Sequence, residues 1–283
     1  MRDVRQFAEE GQVVCTDQTL DAITPALYEE NARVIKATSM YVRRAIESAV
    51  LSGYKTSPAT REQFDLCCDI REYSEIVILI GLRTGNRTIV DISSFATLIL
   101  GAICDVFPRA AIVIDGQNAS GDFVYDCFGD KQTEPDSFLR QELEIAQVLS
   151  SYASTRGVRL INNVGRPVME SVLLCDAADF FVAPWGAALA KYRWICNKPG
   201  LVLTGRWNLQ NRTDLDIYHG PAYNENPAEM WFNELDAVED VVDASETDIT
   251  VLERGNFTVN SIAIWKQLVK LLETHSRRST RGV

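Results

Sequence analysis

Five short runs rich in apolar residues constrain this chain more than any other feature: SEIVILIGL (74–82), AAIVID (110–115), VRLINN (158–163), DFFVAP (179–184) and GLVLT (200–204). A strand with one wet face alternates apolar with polar residues. A run that is apolar throughout belongs to a strand covered on both faces, as in a parallel sheet flanked by helices. Helical spacing fills the intervals over 92–107, 137–155, 167–177 and 187–196, with Leu139, Leu143, Ala146 and Leu149 on one stripe of the second. This alternation predicts an α/β chain, a Rossmann-like parallel sheet with helices on both faces. A closing helix over 259–274 sets Ile262, Trp265, Val269 and Leu272 at helical spacing and is expected to pack back onto the sheet.

The first part of the chain has a different texture. Residues 1–70 are polar and helical in pattern, with Leu27, Val34, Val42, Ile46 and Val50 roughly on one face of a segment starting near Pro25. The expected organisation is a short helical N-terminal segment over 1–70 and one Rossmann-like domain over 71–283. With 283 residues, 46% of them hydrophobic, the chain can bury a large core. A net charge of −11 argues against nucleic acid or an anionic membrane as a general partner, because phosphate surfaces are gripped by basic ones. Seven cysteines, an odd number with no C-x-x-C pair, read as reduced residues of a cytoplasmic protein. The start, MRDVRQFAEEGQVV, lacks the apolar core of a secretion signal, and no run approaches the roughly 18 apolar residues of a membrane span.

In an open parallel sheet, ligands bind beyond the carboxyl ends of the strands. The polar residues after each run therefore carry weight: Arg83-Thr84-Gly85-Asn86-Arg87-Thr88, Asp115-Gly116-Gln117-Asn118, Asn162-Asn163-Val164-Gly165-Arg166-Pro167, Trp185-Gly186-Ala187-Ala188 and Gly205-Arg206-Trp207-Asn208. Gly186, Ala187 and Ala188 are small enough for a phosphate to approach the amides that open the next helix. Arg83, Arg87, Arg166 and Arg206 are placed to close on it through forked hydrogen bonds. No P-loop, no Gly-x-Ser-x-Gly elbow and no Gly-x-Gly-x-x-Gly fingerprint occurs. Asp214-Leu215-Asp216 has metal-ligand spacing but lies in a loop, so no metal site is expected, and no cofactor is called for. Of the two histidines, His219 falls in a loop and His275 in the tail.

The segment ESVLLCDAADFFVAPWGAALAKYRWICNKPGLVL resembles the donor-domain signature of GT-B glycosyltransferases of family sixty-one and their bacterial relatives. In that family a strand ends in a His-Gly-Ala-Gly-Leu type turn, a helix follows, and Pro-Gly leads into the next strand. Here the turn is Trp185-Gly186-Ala187-Ala188-Leu189 and the return is Lys198-Pro199-Gly200. The likeness covers about residues 74–274 and is sharp only over 165–205. It implies a donor-binding half: a sugar nucleotide with its diphosphate at Gly186, Ala187 and Ala188, with Gly165 and Arg166 near the nucleotide.

Trp185 replaces the family's histidine, either to stack on a base or sugar or to fill space. The 70 residues before the sheet are short for the second, acceptor-binding domain of that family. The implied activity is metal-independent transfer of sugar to a glycan or polysaccharide precursor, with Asp91 and Asp115 as candidates for the base. Each carboxylate also has a plainer reading, Asp91 as a helix cap and Asp115 as a turn residue. The alternative is a non-catalytic sugar-nucleotide or glycan-binding subunit that works with a partner chain.

Overall fold

The structure, a computed structural model, describes residues 58–118, 135–219, 226–242 and 245–279. The helical pattern expected over residues 1–57 lies outside them. At the centre is a sheet of six parallel strands: β1 (Ile76–Gly81), β2 (Ala110–Asp115), β3 (Arg159–Asn162), β4 (Phe180–Pro184), β5 (Gly200–Leu203) and β6 (Met230–Phe232). Their spatial order is β3-β2-β1-β4-β5-β6, so the chain builds outward from β1 in one direction and then returns to build outward in the other. The reversal falls between β1 and β4, which pair in register with Ile78 beside Phe180.

The apolar runs divide between two cores as the pleat requires. Ile76, Ile78, Ile80, Ile112, Ile114, Phe180, Val182, Leu201 and Leu203 face one. Val77, Leu79, Ala111, Val113, Phe181, Ala183 and Val202 face the other. The first face is covered by α2 (Ile92–Val106), α3 (Pro135–Arg156) and α7 (Ser261–Ser279), the second by α1 (Pro58–Tyr73) and α4 (Val168–Ala177). Helix α1 continues across residue 70 onto the sheet. Ile70 is fully buried, and Arg71 donates to the Asp176 and Ala177 carbonyls that end α4.

Three expectations are corrected. In α7 the inward stripe is Ile264, Leu268 and Leu272, four residues apart, whereas Ile262 is 65% exposed. The sheet carries β6, and a two-stranded antiparallel unit follows it, β7 (Val238–Val241) with β8 (Asn256–Val259), bracketing the short helix α6 (Ile249–Arg254). The segment expected as a helix over 187–196 is instead a tight turn running into a π-helical turn, Ala190–Ile195. Its wider winding accompanies the burial of three consecutive side chains, Lys191, Tyr192 and Arg193, which a regular helix would spread at about 100° per residue. Five cysteines (67, 68, 104, 175 and 196) are free thiols. No helix among the described residues is long and apolar enough to cross a membrane.

Candidate functional site

The strand order locates the crevice that such sheets offer to ligands, beyond the carboxyl ends of β1 and β4. The loop after β1 brings Arg83 and Arg87, and the end of β4 brings Trp185. Arg212, which follows the short helix α5 (Arg206–Asn211), completes the group. Trp185 is 5% exposed, with its indole N–H donating to the Leu215 carbonyl at 3.4 Å. The Arg87 guanidinium carbon lies 4.9 Å from the ring centroid and that of Arg212 lies 4.4 Å away. Two cations thus lie over the Trp185 ring. Tyr218 meets it edge-on at 6.2 Å, and Trp194 packs on Tyr218 at 5.1 Å.

Arg83 lies against Gly186, where a Cβ would collide with its Nη1 atom. Its Nε and Nη2 groups donate to the Asn86 carbonyl and side-chain oxygens, both at 2.5 Å. Burial lowers the Arg83 guanidinium to about 10, with the like charge of Arg87 second among the causes. Arg87 is lowered too, by burial and then by Arg212. Arg212 has carboxylate partners: Asp214 takes a bidentate pair of hydrogen bonds at 2.8 and 2.7 Å, and Glu253 stands at 3.5 Å. Among the described residues no carboxylate lies within ion-pair distance of Arg83 or Arg87, and the buried Arg87 Nε meets no acceptor. Among the described residues the carboxylates in ion-pair contact with these three guanidiniums, Asp214 and Glu253, both belong to Arg212.

The turn after β4 is closed by three tight bonds of 3.0 Å, from the amides of Leu189, Ala190 and Lys191 to the carbonyls of Gly186, Ala187 and Ala188. The amides of Gly186, Ala187 and Ala188 have no backbone acceptor among the described residues. Ala187 is exposed.

The remaining expected residues have other surroundings. Asp115, at the end of β2, is fully buried. Its carboxylate accepts from Lys191 Nζ at 2.9 Å, Asn163 Nδ2 at 2.8 Å, Ser171 Oγ at 3.2 Å and the Tyr192 hydroxyl. Burial alone would lower the Lys191 ammonium, but Asp115 beside it gives a net rise, so the ammonium stays charged. Asp91 is exposed and caps α2, its Oδ1 accepting the Ser94 amide at 3.3 Å. It borders a groove shared with Thr84, Thr88, Gln141 and Glu144.

Gly165 adopts φ 75°, the left-handed region that favours glycine. Arg166 beside it donates to the Asn162 carbonyl at 2.9 Å and to Gln63 at 2.8 Å, tying α1 to the loop after β3. That loop is two strands away from β1. Arg206 is exposed and donates to the Val238 carbonyl at 3.3 Å. The structure therefore brings Arg83, Arg87, Trp185 and Gly186 together and leaves Arg166 and Arg206 on separate protein partners.

Arg212, Tyr218 and Glu142 were not singled out in the sequence. Glu142 alone carried a signal, standing three residues after Leu139 and four before Ala146 on the apolar stripe of α3. Asp214, weighed as half of a metal motif, is the partner of Arg212. Among the described residues no group of three or more His, Cys, Asp or Glu could hold a metal ion.

No family model and no curated protein matches this chain, so the resemblance of 165–205 to family sixty-one has no counterpart there. A solved structure, that of E. coli ADP-heptose LPS heptosyltransferase II, matches with a TM-score of 0.41 and 10% identity over 75% of this chain and 52% of that one. The chain spans about half the length of that enzyme.

Proposed function

We propose that this chain is the donor-binding half of a glycosyltransferase and that the arginine cluster holds the diphosphate of a sugar nucleotide. The observation that carries the reading is the convergence of Arg87 and Arg212 on Trp185, with Arg83 against the adjoining Gly186, at the strand reversal. Diphosphate oxygens accept forked hydrogen bonds from guanidinium better than from any other side chain. The amides of Gly186, Ala187 and Ala188 supply further donors at the same edge. In transfer from a sugar nucleotide the leaving diphosphate gains charge, and fixed cations there stabilise the transition state, so guanidinium charge supports metal-independent chemistry. The acceptor in this reading is a glycan or polysaccharide precursor. Asp91, exposed beside a groove, is the base candidate that can meet it.

A second reading, a non-catalytic sugar-nucleotide or glycan-binding subunit, is favoured by one observation. Asp115, the other candidate base, is fully buried among protein partners. One experiment separates the two. A calorimetric panel of nucleoside diphosphates and sugar nucleotides is expected to give saturable binding to the wild type. Arg83→Met and Arg212→Met should each weaken it about tenfold or more, the scale of one lost charge-assisted hydrogen bond. Binding with transfer to acceptor glycans supports the enzyme, and binding without transfer supports the subunit. No binding across the panel removes the enzyme and leaves only the glycan-binding form of the subunit.

A further inference from the structure

Glu142 stands on α3 at the head of β2, 2% exposed, and has no part in the scheme above. Its Oε2 accepts the Gln117 amide at 2.6 Å and fills the space that a side chain at Gly116 would need. Its Oε1 faces the Thr84 hydroxyl at 3.4 Å, a long contact. The carboxyl thus bridges the loop after β2 and the loop after β1, one residue from Arg83. Burial raises it to about 7, with the Gln117 amide acting in the opposite direction. The charged and titratable groups around it are Asp115 on β2, paired with Lys191; Tyr192, whose hydroxyl is turned to Asp115; and Arg83. On α3 itself the residues one turn away are Phe138, Leu139, Ile145 and Ala146, none of which titrates.

An anion settling against Arg83 adds negative charge near Glu142 and neutralises the cation that favours its ionised form. Both effects favour the neutral carboxyl. We propose that Glu142 takes up a proton from solvent when the arginine cluster takes its anion, making it a proton-coupled positioning residue of that site. The inference rests on the anion-site reading above. Neutral Glu142 keeps both loops in place, accepting the Gln117 amide and donating its O–H to Thr84. The sign of the pH dependence follows. Below about pH 7 the carboxyl is already protonated and affinity is full; above it binding draws in a fraction of a proton on average, and affinity falls to a lower plateau. For charges roughly 8 Å apart at an effective dielectric of about 20, with salt screening, the loss is about fivefold.

The test uses the full chain and methanedisulfonate, a diphosphate-like dianion whose two sulfonates stay ionised across the range. Calorimetry at about pH 6 and pH 8.5, in buffers of different ionisation enthalpy, reads both affinity and protons exchanged. The expected result is about fivefold weaker binding at the higher pH, with net proton uptake near neutrality. Glu142→Gln, which keeps both loop contacts, should bind equally at both pH values without proton uptake. A pH-independent wild type, or a variant that keeps the wild-type pH response, overturns the inference. If the variant does not fold, infrared difference spectra of the wild type decide instead. A protonated carboxyl band must appear when the anion is added at pH 8, and its absence overturns the inference. No binding at either pH removes the anion site itself, a failure distinguishable from that of Glu142.

Discussion

Arg87 holds φ 53°, a conformation that side chains other than glycine's rarely adopt. Its amide donates to the Arg254 carbonyl at 3.1 Å, and the next amide donates to Asn256 Oδ1 at 3.2 Å, so the surroundings impose the strain. Arg87→Gly should therefore relieve about 1 kcal/mol of backbone strain while removing one of the two cations over the Trp185 ring. The expected outcome is an unchanged or raised melting temperature together with lost diphosphate affinity, read by thermal unfolding and calorimetry on the same sample. Asp115→Asn should behave in the opposite sense. It leaves the Lys191 ammonium buried without its counter-ion, a change that costs about 3–5 kcal/mol in urea unfolding. Wild-type stability with lost turnover would return Asp115 to the role of base.

Between elements, the α5 end of the crevice is closed by the protein itself. Asp240 on β7 reaches across to accept the Trp207 amide at 2.7 Å, and a Cβ on Gly205 would run into its Oδ1. Asp240→Ala should cost about 1 kcal/mol, the value of a lost helix cap, measurable as a lower urea midpoint with an unchanged slope. This contact was illegible in the sequence because VEDV alternates without an apolar face and β6 is only Met230–Phe232. By contrast β1, β2, β4 and β5 are buried at every position, which is why their runs could be read directly. Arg83, Arg87, Trp185 and Gly186 were legible as strand-end residues. Arg212 was not, because it lies beyond α5, where strand-end reasoning no longer reaches. The π-helical turn was hidden for a related reason: Lys191, Tyr192 and Arg193 turn inward to partners on other elements, and local periodicity carries no trace of them.

For the molecule as a whole, the order β3-β2-β1-β4-β5-β6 brings the loops after β1 and β4 to one crevice, while the β7–β8 unit sits against the first of them. Ile89 bridges to Phe257, the Val90 amide donates to the Phe257 carbonyl at 2.8 Å, and the Phe257 amide donates to the Thr88 carbonyl at 3.0 Å. The arginine-bearing loop is thus laced to β8 as an extra short strand. Such a seam opens as a unit, so the amides of Arg87, Val90 and Phe257 should exchange with deuterium at one common rate and slow together when an anion is bound. Three separate rates would mean that the loop loosens without β8. A common rate makes the hairpin a remote handle on the crevice, one that a cross-link or an antibody could use to stiffen the arginines without touching them.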